Sequence, residues 1–174
     1  GTVSYGTSGN GSTGHMAAEL LNRQAGVRML HVPYKSNSQA LVDVIGGQVS
    51  MMFDQVSTAA PQIRAGKVRA LAVTSLKRSP LLPEVPTVDE WGGPGYEDIA
   101  FNGLVAPAGT PRERLVRLIR AVAEAVGAPD LRQRFIERGV ELTASASPEA
   151  FTEHIKAEFD KKARLAREAG IKPE

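Results

Sequence analysis

The sequence predicts an α/β fold with a largely parallel sheet and flanking helices, and three observations predict it. The first is alternation: short β-like runs and helical stretches take turns over residues 3–74. The second is punctuation, since Gly26, Gly46-Gly47 and Gly66 each stop a helical pattern just before the next β-like run. Successive strand–helix units read as a parallel sheet covered by its crossover helices. The third is size: 174 residues at 42% hydrophobic and 23% charged is ordinary globular composition, enough for one large unit or two small ones.

The elements follow in order. Val3-Ser4-Tyr5 is the first strand and leads into a Gly/Ser/Asn-rich loop. Met16, Leu20 and Leu21 mark the next helix, which ends at Gly26. Residues 27–34 (VRMLHVPY) are β-like, with Pro33 closing the strand. Ser36 or Ser38 caps a helix whose Leu41, Val44 and Ile45 face one way. Residues 49–53 form the third strand, with Met51, Met52 and Phe53 expected in the core, and Val56, Ala60 and Ile63 lie on the helix after it. Residues 68–74 (VRALAVT) are the expected fourth strand.

Residues 76–97 break the pattern, because Pro80, Pro83, Pro86 and Pro94 with three glycines make an irregular connection. Within it, residues 87–91 are expected to form one helical turn. Residues 99–106 (IAFNGLVA) read as an extended strand. Thr110-Pro111-Arg112-Glu113 reads as a capping box opening a helix with the stripe Leu115, Leu118, Ile119 and Val122. A short helix follows over 129–138. Ser147-Pro148 opens the last helix, with Phe151, Ile155 and Phe159 on one stripe. Charged residues are 15 of the first 97 and 25 of the last 77. The lobe boundary therefore falls near 95–100, dividing the chain into 1–97 and 98–174.

Several function classes recede on composition. Residues 1–97 carry 8 basic and 7 acidic side chains, and 98–174 carry 13 and 12, so neither part makes the one-signed field that nucleic acid requires. No nucleic-acid partner is expected. Without cysteine there is no disulfide, thiolate metal site or cysteine nucleophile, and the compartment stays open. No apolar run approaches the roughly 20 residues of a membrane span. The first residues lack a basic start and apolar core, so no signal peptide is read there.

The sharpest feature is Tyr5-Gly6-Thr7-Ser8-Gly9-Asn10-Gly11-Ser12-Thr13-Gly14, placed between a strand and a helix. Its glycines let backbone approach a ligand, and its N–H groups with the helix N-terminus favour an anion. Ser8, Asn10, Ser12 and Thr13 add neutral donors. No base, acid or metal ligand lies within it, so it reads as a carboxylate or phosphate cradle rather than a catalytic loop. No cofactor and no metal are expected, and His15, His31 and His154 share no metal-ligand spacing. Tyr34, Lys35 and Asp54 sit at the same strand ends as the loop, where ligands enter a parallel α/β sheet. Asp54 reads equally as an N-cap of the following helix. The alternative is a dinucleotide module using Gly9-x-Gly11-x-x-Gly14, but its ribose-binding acid is missing after the second strand, which ends Val32-Pro33-Tyr34-Lys35.

The ordered series extends this reading. The glycine loop is followed by His31-Val32-Pro33-Tyr34-Lys35, Gly46-Gly47-Gln48-Val49, Met52-Phe53-Asp54 and Ala65-Gly66-Lys67-Val68-Arg69-Ala70-Leu71-Ala72-Val73-Thr74. Lys77-Arg78-Ser79-Pro80, Pro83-Glu84-Val85-Pro86-Thr87-Val88 and Ala106-Pro107-Ala108-Gly109-Thr110-Pro111 complete it. Together these resemble the substrate-binding receptors of tripartite tricarboxylate transporters, the Bug-type (TctC-like) periplasmic proteins. The resemblance covers essentially the whole chain. It implies a type II periplasmic-binding-protein fold and a periplasmic location. It also implies a small carboxylate ligand, membrane transporter subunits as partners and no catalysis, so the chain is not expected to be an enzyme. The expected contact residues are Ser8, Gly9, Asn10, Gly11, Ser12, Thr13, Tyr34 and Asp54.

Receptors of this kind carry a long upstream segment that builds most of the first lobe. By resemblance, residues 1–97 are the second, ligand-loop lobe, and 98–174 return to a first lobe that is incomplete, as in a truncated relative. An apolar stripe without its sheet is expected either to exchange with a second copy, giving a homodimer, or to pack back onto residues 1–97 in a different arrangement.

Overall fold

β-Branched and aromatic runs bounded by glycine become strands here only where a neighbour supplies a ladder. The computed structural model describes residues 2–171. β1 (Ser4–Thr7) lies at the centre of a three-stranded parallel sheet, between β2 (Leu30–Pro33) and β3 (Met51–Met52). Tyr5 pairs with His31 on one side and Met51 on the other. The crossovers are α1 (Thr13–Ala25) and α2 (Asn37–Ile45), and α3 (Val56–Arg64) follows β3. The expected α/β class is thus observed, with shorter strands than the periodicity suggested. Val27, Arg28 and Met29 precede the ladder, and Met51, Met52 and Phe53 are only half-buried, because β3 pairs on one side alone.

Tyr5 and Thr7 are the fully buried side chains of β1, and Met16, Ala17 and Ala18 of α1 pack near them. Gly6 lets α2 close on the sheet: a Cβ there would lie 3.1 Å from Ala40 Cβ and 3.3 Å from the Tyr34 ring. Ser36 is the cap of α2, its hydroxyl accepting from Gln39 N–H at 3.3 Å.

The expected fourth strand is not formed. Residues 68–74 contribute one parallel bridge, Val73 to Thr87, in which Val73 N–H donates to Pro86 O and Val88 N–H to Val73 O. Pro86 has no N–H to continue a ladder, so pairing stops there. Val73, Leu82 and Val85 instead form a small core backed by Val56, Ile63, Ala70 and Leu81. Residues 87–91 make successive turns rather than a helical turn, with Glu90 N–H captured by the Thr87 hydroxyl. Residues 99–106 also find no ladder among the described residues, and Leu104 and Val105 are 78% and 87% exposed.

The remaining helices are α4 (Arg112–Gly127), α5 (Pro129–Ile136) and α6 (Pro148–Glu168). The expected capping box of α4 is absent: Thr110 donates its hydroxyl to Pro107 O, and Pro111 is the N-cap. Ser147 does cap α6, accepting from Ala150 N–H. The Leu118 and Ile119 stripe of α4 is exposed, and no residue of α4 is buried. α6 packs back on α1, where Arg23 and Glu168 pair at 3.0 Å. Lys162 pairs with the buried Asp98 carboxylate, and Lys161 Nζ donates to Glu97 O at 2.8 Å. Tyr96 is buried and donates its hydroxyl to Ala17 O. No helix among the described residues is long and apolar enough to cross a membrane.

Candidate functional site

The loop after β1 is built by two glycines and a serine cap. Gly9 (φ 118°) and Gly11 (φ 69°) hold left-handed backbone that other residues adopt only with strain. Ser12 is the N-cap of α1, its Oγ accepting from His15 N–H at 3.4 Å, while Ser12 N–H donates to Gly9 O at 3.3 Å. Helix geometry leaves the amides of Thr13 and Gly14 to an external acceptor. The partial positive charge of the helix terminus adds to them.

Beneath the loop lies a polar framework. Thr7 Oγ1 sits 3.2 Å from both Gly9 O and Gly9 N, and 2.7 Å from His31 Nε2. All three contacts are satisfied when His31 carries its proton on Nε2, so that Thr7 accepts from His31 and Gly9 N–H and donates to Gly9 O. Gly11 N–H donates to His15 Nδ1 at 3.1 Å. The two imidazoles stack with centroids 3.9 Å apart, and Tyr5 stacks on His31 at 5.0 Å. The Tyr5 hydroxyl donates to Glu19 Oε1 at 2.7 Å, and burial with that bond pushes the phenol well above its usual range. Burial, partly opposed by Glu19, lowers the His15 pKa. Burial and the neighbouring His15 lower that of His31, again against Glu19.

Where the loop meets the end of β2, an open concavity of about 690 Å³ is lined by Ser8, Gly9, Pro33, Tyr34, Lys35 and Gln39. Of the expected contact residues, Ser8, Gly9 and Tyr34 line it. Asn10, Gly11, Ser12 and Thr13 form the rest of the loop beside it. Tyr34 commits its hydroxyl to Asp43 Oδ2 at 2.7 Å, a bond that raises the phenol pKa, and so offers the concavity its ring. Asp54 lies outside the lining. Its carboxylate accepts from Asn37 Nδ2 at 3.2 Å and from the Thr58 hydroxyl at 2.7 Å, joining the end of β3 to α2 and α3. Nor is it the N-cap of α3, a position held by Gln55. Gln39 was not anticipated from sequence; its signal is its place in the first turn of α2 beside Lys35, whose N–H it accepts. Among the described residues no three His, Cys, Asp or Glu side chains cluster as a metal site.

The concavity is thus lined by Ser8, Gly9, Tyr34, Lys35 and Gln39, with the α1 terminus at the other end of the loop. The sequence profile of the tripartite tricarboxylate transporter family receptors, TctC, matches residues 1–171. The chain belongs to this family. A curated relative, the "UPF0065 protein in tcbD-tcbE intergenic region" of Pseudomonas sp. (strain P51), is 41% identical over 166 residues, covering 95% of this chain and 49% of the relative. Among solved structures, R. palustris Rpa4515 with adipate superposes with a TM-score of 0.89 at 37% identity, over 99% of this chain and 57% of that one. The periplasmic binding protein BugD gives 0.84 at 36% identity, over 99% and 58%. The chain thus spans about half the length of the relatives it matches. The fold is that of the periplasmic binding proteins it superposes on, over somewhat more than half of their chains. The dinucleotide alternative gains no support from these relatives.

Proposed function

We propose that this TctC-family chain captures a small dicarboxylate, one carboxylate seated on the loop from Ser8 to Thr13 and the helix α1 terminus. The observation that carries the reading is the concavity itself, in which uncharged donors and Lys35 face an open space with no carboxylate among the lining residues. Charge-assisted hydrogen bonds to backbone N–H and lysine suit a carboxylate. The adipate held by the R. palustris relative supports this ligand class. The site binds and releases without catalysing a reaction. The lobe division near 95–100 would make residues 1–97 the second, ligand-loop lobe and let residues 98–174 act as the part of the chain that returns to the first. Membership of the TctC family supports periplasmic residence and hand-over to membrane transporter subunits. Calorimetric titration with adipate and, separately, NAD tests the reading: heat of binding with adipate alone is expected. Binding of NAD alone would overturn it.

The exposed apolar surface of α4 and of residues 104–105 supports a second proposal, that two copies of this chain associate and exchange residues 98–174. Sedimentation is then expected to show a dimer. A monomer at all concentrations would refute it.

A further inference from the structure

The glycine loop rests on a histidine acceptor, and that acceptor can be removed by a proton. We infer that His15 is the positioning residue of the ligand loop, and that proton uptake by the stacked His15–His31 pair releases Gly11 and loosens the carboxylate cradle. The inference rests on the proposed carboxylate reading for its functional meaning, but its geometry stands apart from any ligand.

Gly11 N–H donates to His15 Nδ1, so this nitrogen must be unprotonated and the neutral ring carries its hydrogen on Nε2. A proton on Nδ1 sets a donor against a donor, and Gly11 loses its tether. His31 lies parallel at 3.9 Å between centroids, so two imidazolium rings would place like charges face to face. His31 in turn contacts Thr7 Oγ1, which sits against both the N–H and the C=O of Gly9. The two glycines that shape the loop are thus each linked to one histidine.

The groups facing the pair are identified on each element. On β1, Tyr5 stacks on His31 and donates its hydroxyl to Glu19. On α1, Glu19 opposes the shift by favouring imidazolium, but its Oε1 already accepts from Tyr5 and from Asn22 Nδ2. Burial is the larger influence on both rings and favours the neutral forms. The sign follows. The unfolded chain takes up these protons near the ordinary histidine value of about 6.5, before the folded one does. Stability is therefore full above that value, falls with pH down to the lower folded values, and then levels off.

The experiment is an NMR titration of the ligand-free chain, following the His15 and His31 Cε1–H signals and the Gly11 amide. Both histidines are expected to titrate below the ordinary value, with the Gly11 amide moving along the His15 curve. A His15 midpoint at or above the ordinary value, or a Gly11 amide that stays still through it, overturns the inference. His15→Asn supplies an amide oxygen where Nδ1 sits and cannot take up the proton. As pH falls through the His15 midpoint found by NMR, adipate affinity of the parent is expected to fall more steeply than that of His15→Asn. Adipate's own ionisation is common to both and cancels. Equal pH slopes in parent and variant contradict the inference. Absence of adipate binding at every pH counts against the carboxylate reading instead, and the amide titration still decides the role of His15.

Discussion

Replacing Lys162 with methionine is expected to destabilise the chain by about 3–5 kcal/mol, because it leaves a buried carboxylate without its partner. The Asp98 side chain is only 1% exposed, and among the described residues its Oδ2 has no hydrogen-bond partner even with Lys162 in place. Lys162 therefore meets the one carboxylate oxygen of Asp98 that has a partner. The contact ties the segment after the Pro-rich connection to α6, so its loss should also free α6 from α1. Urea unfolding measures the cost, and hydrogen exchange in α6 locates it. The double variant Asp98→Leu/Lys162→Met should recover most of the loss, since replacing both partners by apolar groups is often neutral. A single variant within 1 kcal/mol of the parent (well below the ~3 kcal/mol floor for a broken buried pair) would show that the pair does not hold the junction.

Tyr5→Ala is expected to cost a similar amount, about 3–5 kcal/mol, as for other large aromatic truncations in a core. Tyr5 is fully buried in the central strand, pairs with both neighbours and forms the floor of the His31–His15 stack. Tyr5→Phe keeps the ring and removes only the hydroxyl given to Glu19, so it should cost about 1–3 kcal/mol. The ordering of the three proteins in urea separates packing from hydrogen bonding. If Tyr5→Phe equals Tyr5→Ala, the ring is not what supports the stack.

Much of the loop's geometry was legible because it is local. A glycine-rich loop between a strand and a helix, with serine at the cap, states its geometry in consecutive residues, and Gly9, Gly11 and Ser12 take those roles. The end of β2 was legible too, since Pro33 closes a β-like run and brings Tyr34 and Lys35 to the loop. What failed was whatever depended on a competing partner that the spacing does not show. Residues 68–74 have strand composition, yet their neighbour is Pro86, which cannot extend a ladder. Thr110 has the spacing of a capping box, but its hydroxyl turns back to Pro107. Asp54 follows β3 and reads as the cap of α3, but Gln55 takes that position while Asn37 and Thr58 bond to the Asp54 carboxylate. The His15–His31 stack joins a helix to a strand, and no spacing rule brings those two positions together. Only the register of Tyr5 against His31 makes the stack visible.

The central claim is that the loop from Ser8 to Thr13 is where a carboxylate sits. The most direct test follows backbone amide shifts while adipate is added to the intact chain. Saturable shifts concentrated at residues 8–14 and at Lys35 are the predicted result. Saturable binding that leaves those amides unmoved, with shifts elsewhere, would contradict it.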